Sequence, residues 1–320
     1  KKRGKGVGVA CAMMHSGVPG SDQASSLATL HDDGTITVTI GSSDIGQGIE
    51  SVMTQIAAEA LGAKFEDVKV ISADTDRTLF DKGSYASSGT YVSGNAVKRA
   101  CDDLKQKILE RAARKMGKSK NALDIRDGKI YVKAKPSNFI SLKDMAMDVL
   151  YAIKKGQLTG RGDFKDMLSP RSFFVSFVEV KVDTETGKVK LERYLALPDC
   201  GTTLNPTAAA GQVEGGITQG IGYGLFEESL IGKDGKVLNP DLTNYKIPSV
   251  FDLPRIEVRF VNTYEPTGPF GAKSIGEASL VTAAPAIVNA IHDGTGVRFR
   301  KLPLTREKIA MTISGMADKK

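Results

Sequence analysis

Glycine is concentrated in one stretch with the pattern of a helix, and this stretch constrains the fold more than any other. Asn205-Pro206 is a typical helix start, with a capping side chain followed by proline at the first helical position. The segment that follows, up to about residue 226, contains six glycines: Gly211, Gly215, Gly216, Gly220, Gly222 and Gly224. Each glycine costs roughly 1 kcal/mol relative to alanine in a helix. Such a helix must be approached closely by another backbone or by a ligand, and the sequence leaves both interpretations open.

Two further glycine-rich segments lie in the first half, and each precedes a helix. An alternating strand at 34–40 leads into the polar loop 41–48, after which apolar spacing predicts a helix over 49–61 that stops at Gly62. A serine- and glycine-rich loop at 81–94 precedes a helix predicted from about Gly94 to Met116. A strand, a glycine loop and a helix in this order aim free backbone N–H groups at an anion.

The composition is that of a soluble globular protein with room for two domains. The chain has 320 residues, of which 41% are hydrophobic and 25% are charged. No apolar run approaches the roughly 20 residues of a membrane span. The basic start Lys1-Lys2-Arg3 precedes a short, glycine-broken apolar run that we interpret as a strand at 4–14 rather than a signal peptide. We expect a cytoplasmic protein with no membrane partner.

The distribution of charge argues against a nucleic-acid partner. The net charge of +7 is spread along the chain, and the densest basic block, 98–120, is interrupted by acids and contains no aromatic residue. This pattern is more typical of a solvated helix face than of a nucleic-acid groove. The surplus of positive charge still suits an anionic cofactor or substrate.

The cysteines do not form a metal motif. Cys11, Cys101 and Cys200 lie far apart, with no paired spacing. They therefore fit neither a zinc site nor an iron–sulfur cluster, and we interpret them as small buried thiols. If the protein carries out redox chemistry, its clusters belong on other chains.

The order of elements predicts an α+β fold made of two α/β subdomains, 1–160 and 161–320. We place the boundary in the polar, apparently irregular stretch 156–171. Before it, Ser141 and Asp144 predict a capping box for a helix ending near Gly156. After it, strands are predicted at about 173–183, 188–197 and 258–261, and Pro285 is expected to break or kink a helix near the C-terminus.

Glu277 is the carboxylate that we single out for chemistry. It lies in a run of small residues, 271–279, just before the apolar segment 280–291. Small residues allow backbone to come close to a ligand, and a glutamate in dry surroundings can act as a general acid or base. The alternative is an acid in the first helical turn that simply interacts with the helix dipole.

Four segments in one order give the chain a family resemblance. Gly46-Gln47-Gly48, Ser84 to Gly89, Gln212 to Gly216 and Gly276-Glu277 together resemble the C-terminal half of the molybdenum-binding region of the xanthine dehydrogenase/aldehyde oxidase family of molybdenum hydroxylases. The resemblance runs from Lys2 to about Leu304, so it covers nearly the whole chain. The two predicted subdomains would then be the molybdopterin-binding subdomains of that region.

The resemblance implies roles for particular residues. Gln47 would lie beside the molybdenum ligands, Gln212 would hydrogen-bond the pterin, and Glu277 would be the catalytic base. The loop with Ala86, Ser87 and Gly89 would wrap the metal and the pterin dinucleotide, with the Ala86 backbone near the metal and no side-chain metal ligand. Further cofactor-binding positions implied by these motifs are Gly46, Gly48, Ser88, Ser274 and Gly276.

The residues that would bind the substrate and the dinucleotide pyrophosphate have weaker sequence signals than the cofactor motifs. A carboxylated substrate would need a cation or hydroxyl donors nearby, and His15 and Tyr85 are the residues we predict for this role. The alternative to a substrate-binding role is that His15 is a loop histidine whose hydrogen bonds are satisfied within the protein. Lys273 would assist the dinucleotide pyrophosphate, with a solvated lysine as its alternative. His31 and His292 lie beside turns, and we assign them no chemistry.

The resemblance also implies a cofactor, partners and a reaction. The cofactor would be molybdenum with molybdopterin cytosine dinucleotide and a terminal sulfido or selenido ligand. The family's N-terminal half, with its own glycine-rich metal loop, is absent here, so we expect a split molybdenum subunit that needs a companion molybdopterin subunit. A 2Fe-2S subunit and an FAD subunit would carry the other cofactors. Such a split resembles that of the bacterial nicotinate dehydrogenases of the family, with their medium molybdopterin subunit. This resemblance implies hydroxylation of nicotinate to 6-hydroxynicotinate with oxygen from water. Alternatives are aldehyde, purine or aromatic acyl-CoA substrates, or a non-catalytic scaffold subunit.

Overall fold

The structure is a computed structural model that describes residues 4–152 and 156–317. Its strands in chain order are β1 Lys5–His15, β2 Gln23–Leu30, β3 Ile36–Ile40, β4 Val68–Ser72, β5 Leu123–Arg126, β6 Lys129–Val132, β7 Lys135–Ser141, β8 Thr159–Lys165, β9 Arg171–Val182, β10 Val189–Asp199 and β11 Arg255–Val258. Its α-helices are α1 Ile49–Leu61, α2 Gly89–Met116, α3 Leu142–Met147, α4 Pro206–Leu225, α5 Ala278–Thr295 and α6 Arg306–Ala317. The mixture of helices and strands confirms the α+β class.

The chain forms two compact units, each discontinuous in sequence. We call the first the glutamate unit, because it contains Glu277; it comprises Lys1–Met14, Arg171–Thr263 and Ile275–Lys320. The second, the loop unit, comprises His15–Pro170 and Tyr264–Ser274. These units differ from the division 1–160 and 161–320, because the first strand groups with the second half of the chain and a short segment before Glu277 groups with the first half.

The glutamate unit is built on a four-stranded sheet with helices against one face. The strand order is β1-β9-β10-β11, with β9 and β10 antiparallel and β10 and β11 parallel. β9 alternates buried and more exposed residues along its length, as a strand with one covered face does. Its inward residues, such as Phe174 and Val178, share a core with Ile217 of α4 and Ile287 of α5.

The loop unit contains a second four-stranded sheet and a three-stranded one. The strand orders are β4-β3-β2-β8 and β5-β6-β7. α1 packs against α2, and α2 also lies across β2 and β8. Both helices bury their apolar faces, including Met53 and Ile56 of α1 and Leu104 and Ile108 of α2.

Several predicted elements are confirmed with little or no change. α1 has the predicted bounds, and Gly62 ends it in a left-handed conformation, with φ of 73°. The capping box is confirmed, because the Asp144 backbone N–H donates to Ser141 Oγ at 3.0 Å. The start of α4 is confirmed as well, since the Ala208 N–H donates to the Asn205 side chain at 3.0 Å.

Other predictions are wrong in their bounds. The stretch 156–171 is not irregular throughout, because it contains β8, and β2 was not predicted at all. α2 begins at Gly89 rather than Gly94. A π-helical turn, Asp148–Ala152, continues α3, and the predicted helix end near Gly156 is not tested because residues 153–155 lie outside the described residues. The last strand is Arg255–Val258 rather than 258–261. In addition, α5 runs through Pro285 without ending there.

Two further expectations concern the burial of the cysteines and the presence of a membrane-spanning helix. Cys101 and Cys200 are buried, as expected, but Cys11 is exposed, because it lies on the outward-facing side of β1. Burial raises the pKa of the Cys101 thiol. Within the described residues, no helix combines the length and apolar character needed to cross a bilayer.

Candidate functional site

In the loop unit, the two glycine-rich loops come together. Ser42 Oγ lies 3.1 Å from Ser84 Oγ, and the Ser84 hydroxyl donates to the Ser43 carbonyl at 2.7 Å. A Cβ on Gly89 would lie only 2.7 Å from Ile49 Cδ1, so the starts of α2 and α1 pack side by side. Neither helix has a side-chain cap in the described structure. The free N–H groups of two adjacent helix starts favour a bound anion.

Gln47 does not extend away from its loop. Its Oε1 accepts from the Ile45 N–H at 2.6 Å, and its Nε2 donates to the Ser43 carbonyl at 2.9 Å. The side chain therefore fixes the shape of the loop from within. Gly46 next to it has φ of 100° and no atom within 4 Å of where a Cβ would be, so its backbone faces open space. Gly48 is the residue before α1 and is also left-handed, with φ of 76°.

The backbone at Ala86 and Ser87 is held in an uncommon conformation. Both are left-handed, with φ of 49° and 52°, although neither is glycine. Such residues cost free energy and persist where surrounding contacts hold them, often at functional sites. One of these contacts is the Gly17 N–H, which donates to the Ala86 carbonyl at 3.0 Å. Ser88, which follows, is buried at the start of α2.

Two buried aspartates support this loop, and sequence reasoning missed both. Asp22 Oδ2 and Asp166 Oδ2 lie 2.8 and 3.3 Å from the position of a Cβ on Gly17, which has φ of 98°. Asp166 is fully buried and accepts through Oδ1 from the Leu168 and Ser169 N–H groups at 3.0 and 2.7 Å. Only glycine fits at position 17, and so the carboxylates fix the segment whose N–H binds Ala86.

Tyr85 is tied to the same pair of aspartates. Its hydroxyl donates to Asp22 Oδ1, and this hydrogen bond raises the pKa of Tyr85. Asp22 Oδ2 accepts from the Val18 N–H at 2.8 Å. Tyr85 is nevertheless 41% exposed, so its ring remains accessible. Neither aspartate has a local sequence signal, because the two meet only when β2 pairs with β8.

Three more of the predicted site residues lie in the loop unit: His15, Lys273 and Ser274. His15 is exposed at the end of β1, and its Nδ1 lies 3.1 Å from the Ser169 carbonyl. The Ser274 N–H donates to Ser16 Oγ at 3.2 Å, which brings Ser274 next to the segment that binds Ala86. Lys273 is only 8% exposed, so the solvated-lysine alternative is wrong.

In the glutamate unit, the glycines of α4 form a seam along α5. A Cβ on Gly216 would collide with Ser279 Oγ, and one on Gly220 would collide with the Ala283 Cβ. A Cβ on Gly224 would lie 3.5 Å from Ala284. Because residue numbers rise together along both helices, α4 and α5 are parallel and begin at the same end of the pair.

This parallel seam brings Gln212 and Glu277 to one end. Gln212 precedes Gly216 by one helical turn, at the level where α5 begins, and Glu277 is the exposed residue directly before α5. Gly211 and Gly215 beside Gln212 have no atom within 4 Å of their Cβ positions. Three glycines of α4 therefore pack on α5, Gly222 packs against Glu227 and Pro248, and Gly211 and Gly215 are open. Gly276 lies at the same end, where its carbonyl accepts from Ser279 Oγ at 3.0 Å.

Each unit, taken by itself, has features that fit part of a phosphate-bearing organic cofactor. The loop unit offers the uncapped starts of α1 and α2, and the glutamate unit offers Gln212 beside two open glycines. Throughout the described residues, no group of three His, Cys, Asp or Glu side chains is arranged to hold a metal ion.

Comparison with known proteins agrees with this chemistry. Residues 1–254 match the family model of the molybdopterin cofactor-binding domain. The chain is 41% identical over 311 residues to a putative xanthine dehydrogenase molybdenum-binding subunit of Escherichia coli (strain K12), covering 95% of this chain and 41% of that protein. It is 30% identical over 298 residues to the nicotine 6-hydroxylase large subunit of Paenarthrobacter nicotinovorans, covering 90% of this chain and 36% of that protein.

Solved structures show the same fold. The chain superimposes on quinoline 2-oxidoreductase from Pseudomonas putida 86 with a TM-score of 0.91 and 27% identity, covering 98% of this chain and 42% of that one. It therefore spans about two fifths of the length of the relatives that it matches. The chain belongs to the xanthine dehydrogenase family of molybdenum hydroxylases, as a C-terminal molybdopterin-binding part.

Proposed function

We propose that this chain supplies the catalytic base and part of the cofactor cradle of a multi-subunit molybdenum hydroxylase. The reaction is hydroxylation of an electron-poor carbon next to nitrogen in a heteroaromatic ring, with oxygen from water. The observation that supports this most is the parallel packing of α4 on α5, because it gives Gln212 and Glu277 a common end. The family match supports the cofactor itself.

In this proposal, each unit has its own task. Gln212 orients the pterin by a hydrogen bond from its amide, and Gly211 and Gly215 let the ring system approach α4. In the loop unit, the N–H groups at the starts of α1 and α2 bind the pyrophosphate of the cytosine dinucleotide form. When bound, the molybdenum centre, with its sulfido or selenido ligand, supplies the activated oxygen and accepts two electrons. Glu277 takes the proton from the attacking oxygen.

Replacing Glu277 by glutamine tests the assignment of the base. Glutamine keeps the size and removes the basicity, so we expect turnover by the assembled enzyme to fall by about two to four orders of magnitude. Molybdenum and pterin contents should stay unchanged. Steady-state kinetics with metal analysis of the same preparation measures both.

The control is Glu307→Gln, which removes an exposed carboxylate in the first turn of α6. We expect this variant to retain full turnover. If Glu277→Gln also retained turnover at full molybdenum loading, Glu277 would not be the base. An intact complex without molybdenum would instead favour the scaffold alternative.

For the substrate, we propose nicotinate as the first candidate and a purine as the second. A specific observation favours the second: the chain is 41% identical to proteins named as a xanthine dehydrogenase subunit and as a probable hypoxanthine oxidase of Escherichia coli. Both candidates are electron-poor rings with carbon next to nitrogen. Turnover of the assembled enzyme with nicotinate, hypoxanthine, xanthine and an aldehyde decides between them, and the largest kcat/KM identifies the class.

We propose further that the chain works with partners in the cytoplasm. A companion molybdopterin subunit would provide the rest of the cradle, and 2Fe-2S and FAD subunits would carry electrons away. Relatives named as a large subunit and as subunit gamma of a dehydrogenase complex support a multi-subunit assembly. Mass spectrometry of the native complex would identify each chain, and flavin and iron analysis would identify the cofactors.

A further inference from the structure

A large apolar groove lies on the outer side of the α4–α5 pair. It has a volume of about 550 Å³ and is formed by α4, α5 and the segment 299–302, all within the glutamate unit. The residues that line it are Tyr223, Leu280, Val281, Ala284, Pro285, Val288, Asn289, Phe299, Arg300, Lys301 and Leu302. None of them is an aspartate or a glutamate.

α5 is apolar on the side that faces this groove as well as on the side that faces the core. No charged residue occurs from Ala278 to Ile291. Ala283 and Ile287 are fully buried in the unit's core, whereas Leu280 and Val281 are 37% and 51% exposed. A helix that is apolar all round is normally covered on all sides. The exposed apolar side of α5 in the groove is therefore suited to contact with a further molecule.

The rim of the groove is positively charged and favours a negatively charged group on a molecule that docks there. Arg300 and Lys301 are both exposed, and within the described residues neither forms an ion pair. Asn289 is already engaged, because its Nδ2 donates to the Val9 carbonyl at 2.9 Å and its Oδ1 accepts from Arg298 at 2.7 Å. The occupant must therefore bring apolar side chains to the groove and a carboxylate to the two cations.

We propose that the occupant is a segment of the companion molybdopterin subunit, apolar on one face and carrying an aspartate or glutamate. This inference rests on the proposed function, which requires such a companion. The groove begins at Leu280, one helical turn after Glu277, so the docked segment lies next to the base. Docking covers the start of α5 and keeps water from Glu277, as a base that works in dry surroundings requires.

Photocrosslinking in the native complex tests the identity of the occupant. A benzoylphenylalanine at position 281 of the tagged full chain is irradiated in the purified assembly, and the crosslinked peptide is sequenced by mass spectrometry. We expect a peptide of the companion molybdopterin subunit that contains apolar residues and an acid. A crosslink to a second copy of this chain, to a lipid or small molecule, or to no other molecule overturns the proposal.

Charge reversal tests the role of the rim. In Arg300→Glu with Lys301→Glu, we expect recovery of the companion subunit with the tagged chain to fall about tenfold. The matched control is Lys118→Glu with Lys135→Glu, two exposed lysines of the loop unit, which should leave recovery unchanged. Equal recovery in both double variants overturns the proposal.

These outcomes are separate from those of the proposed function. The proposed function fails if the intact complex lacks molybdenum and pterin, or if Glu277→Gln remains fully active. The docking proposal fails on the crosslink and the charge reversal, whatever the molybdenum content.

Discussion

At the residue scale, Asp22 ties two segments of the loop unit together. It is 1% exposed, and its two oxygens accept hydrogen bonds from the Tyr85 hydroxyl and the Val18 N–H. A buried carboxylate without its donors is costly, because it has lost its water as well. Tyr85 is therefore part of the support for the Ala86 loop, in addition to any contact that it makes with substrate.

Replacing Tyr85 by phenylalanine removes one of these donors. We expect the free energy of unfolding to fall by about 1–3 kcal/mol, because Asp22 Oδ1 loses its partner while buried. Thermal and chemical denaturation of the purified protein measures this loss. The control is Tyr264→Phe, which removes the hydroxyl of a tyrosine that is 70% exposed. Equal stability of the two variants would show that the Asp22 hydrogen bond contributes nothing.

Residue-level features divide into those with a local signal and those without one. Asn205, Ser141 and Gly62 were predictable, because capping and stopping a helix depend on neighbours within a few residues. Asp22 and Asp166 were not, because they lie far apart in sequence and meet only when β2 pairs with β8. The roles of Gln212 and Glu277 came from the family resemblance and remain predictions.

At the scale of elements, the two units share one packing feature. In each, an edge strand with two glycines at alternate positions lies directly on a helix: Gly6 and Gly8 of β1 on α5, and Gly160 and Gly162 of β8 on α2. A Cβ at any of these positions would overlap the helix backbone. Both helices begin at the predicted cofactor loops, so strand-to-helix contact fixes the position of each loop.

Replacing Gly162 by alanine tests this contact. Because the new Cβ would collide with the Ala96 carbonyl, β8 and α2 must move apart, and we expect a loss of about 1–3 kcal/mol in the free energy of unfolding. Gly315→Ala is the control, since it adds the same methyl group to an open position on α6. That control should be neutral or slightly stabilising. If the two variants unfolded alike, the close approach of β8 to α2 would be refuted.

The elements missed by sequence analysis have identifiable reasons. β8 was taken as irregular because it is mostly polar and contains two glycines, yet Gly160 and Gly162 are what lets it lie on α2. β2 was missed because its buried residues include small and polar ones, such as Ala24, Ser26 and Ala28. α1 was predicted correctly because its apolar face and its Gly62 stop are both local signals.

For the whole molecule, binding of the molybdopterin cofactor would add to the stability of the folded state. A ligand that binds only the folded state stabilises it in proportion to its affinity and concentration. The loops that would bind it contain glycines facing open space and helix starts without caps. Such segments open locally at low cost when nothing covers them.

Removing the cofactor should therefore affect the loops first. In protein made by a host that cannot synthesise molybdopterin, we expect faster hydrogen exchange at the amides of 46–48 and 86–89 than in the loaded protein. The buried amides of α1 around Met53 and Ile56 serve as the internal control and should be unchanged. Identical exchange at both loops in the two preparations would mean that they do not bind the cofactor.

The glycine seam between α4 and α5 also bears on how this family diversifies. With no side chain between the two backbones at Gly216 and Gly220, the spacing of the helices has almost no freedom to vary. We therefore expect Gln212 and Glu277 to keep one spacing, whichever ring is oxidised. A lineage that acquires a new substrate is expected to change the protein that surrounds this pair and to leave the pair itself alone.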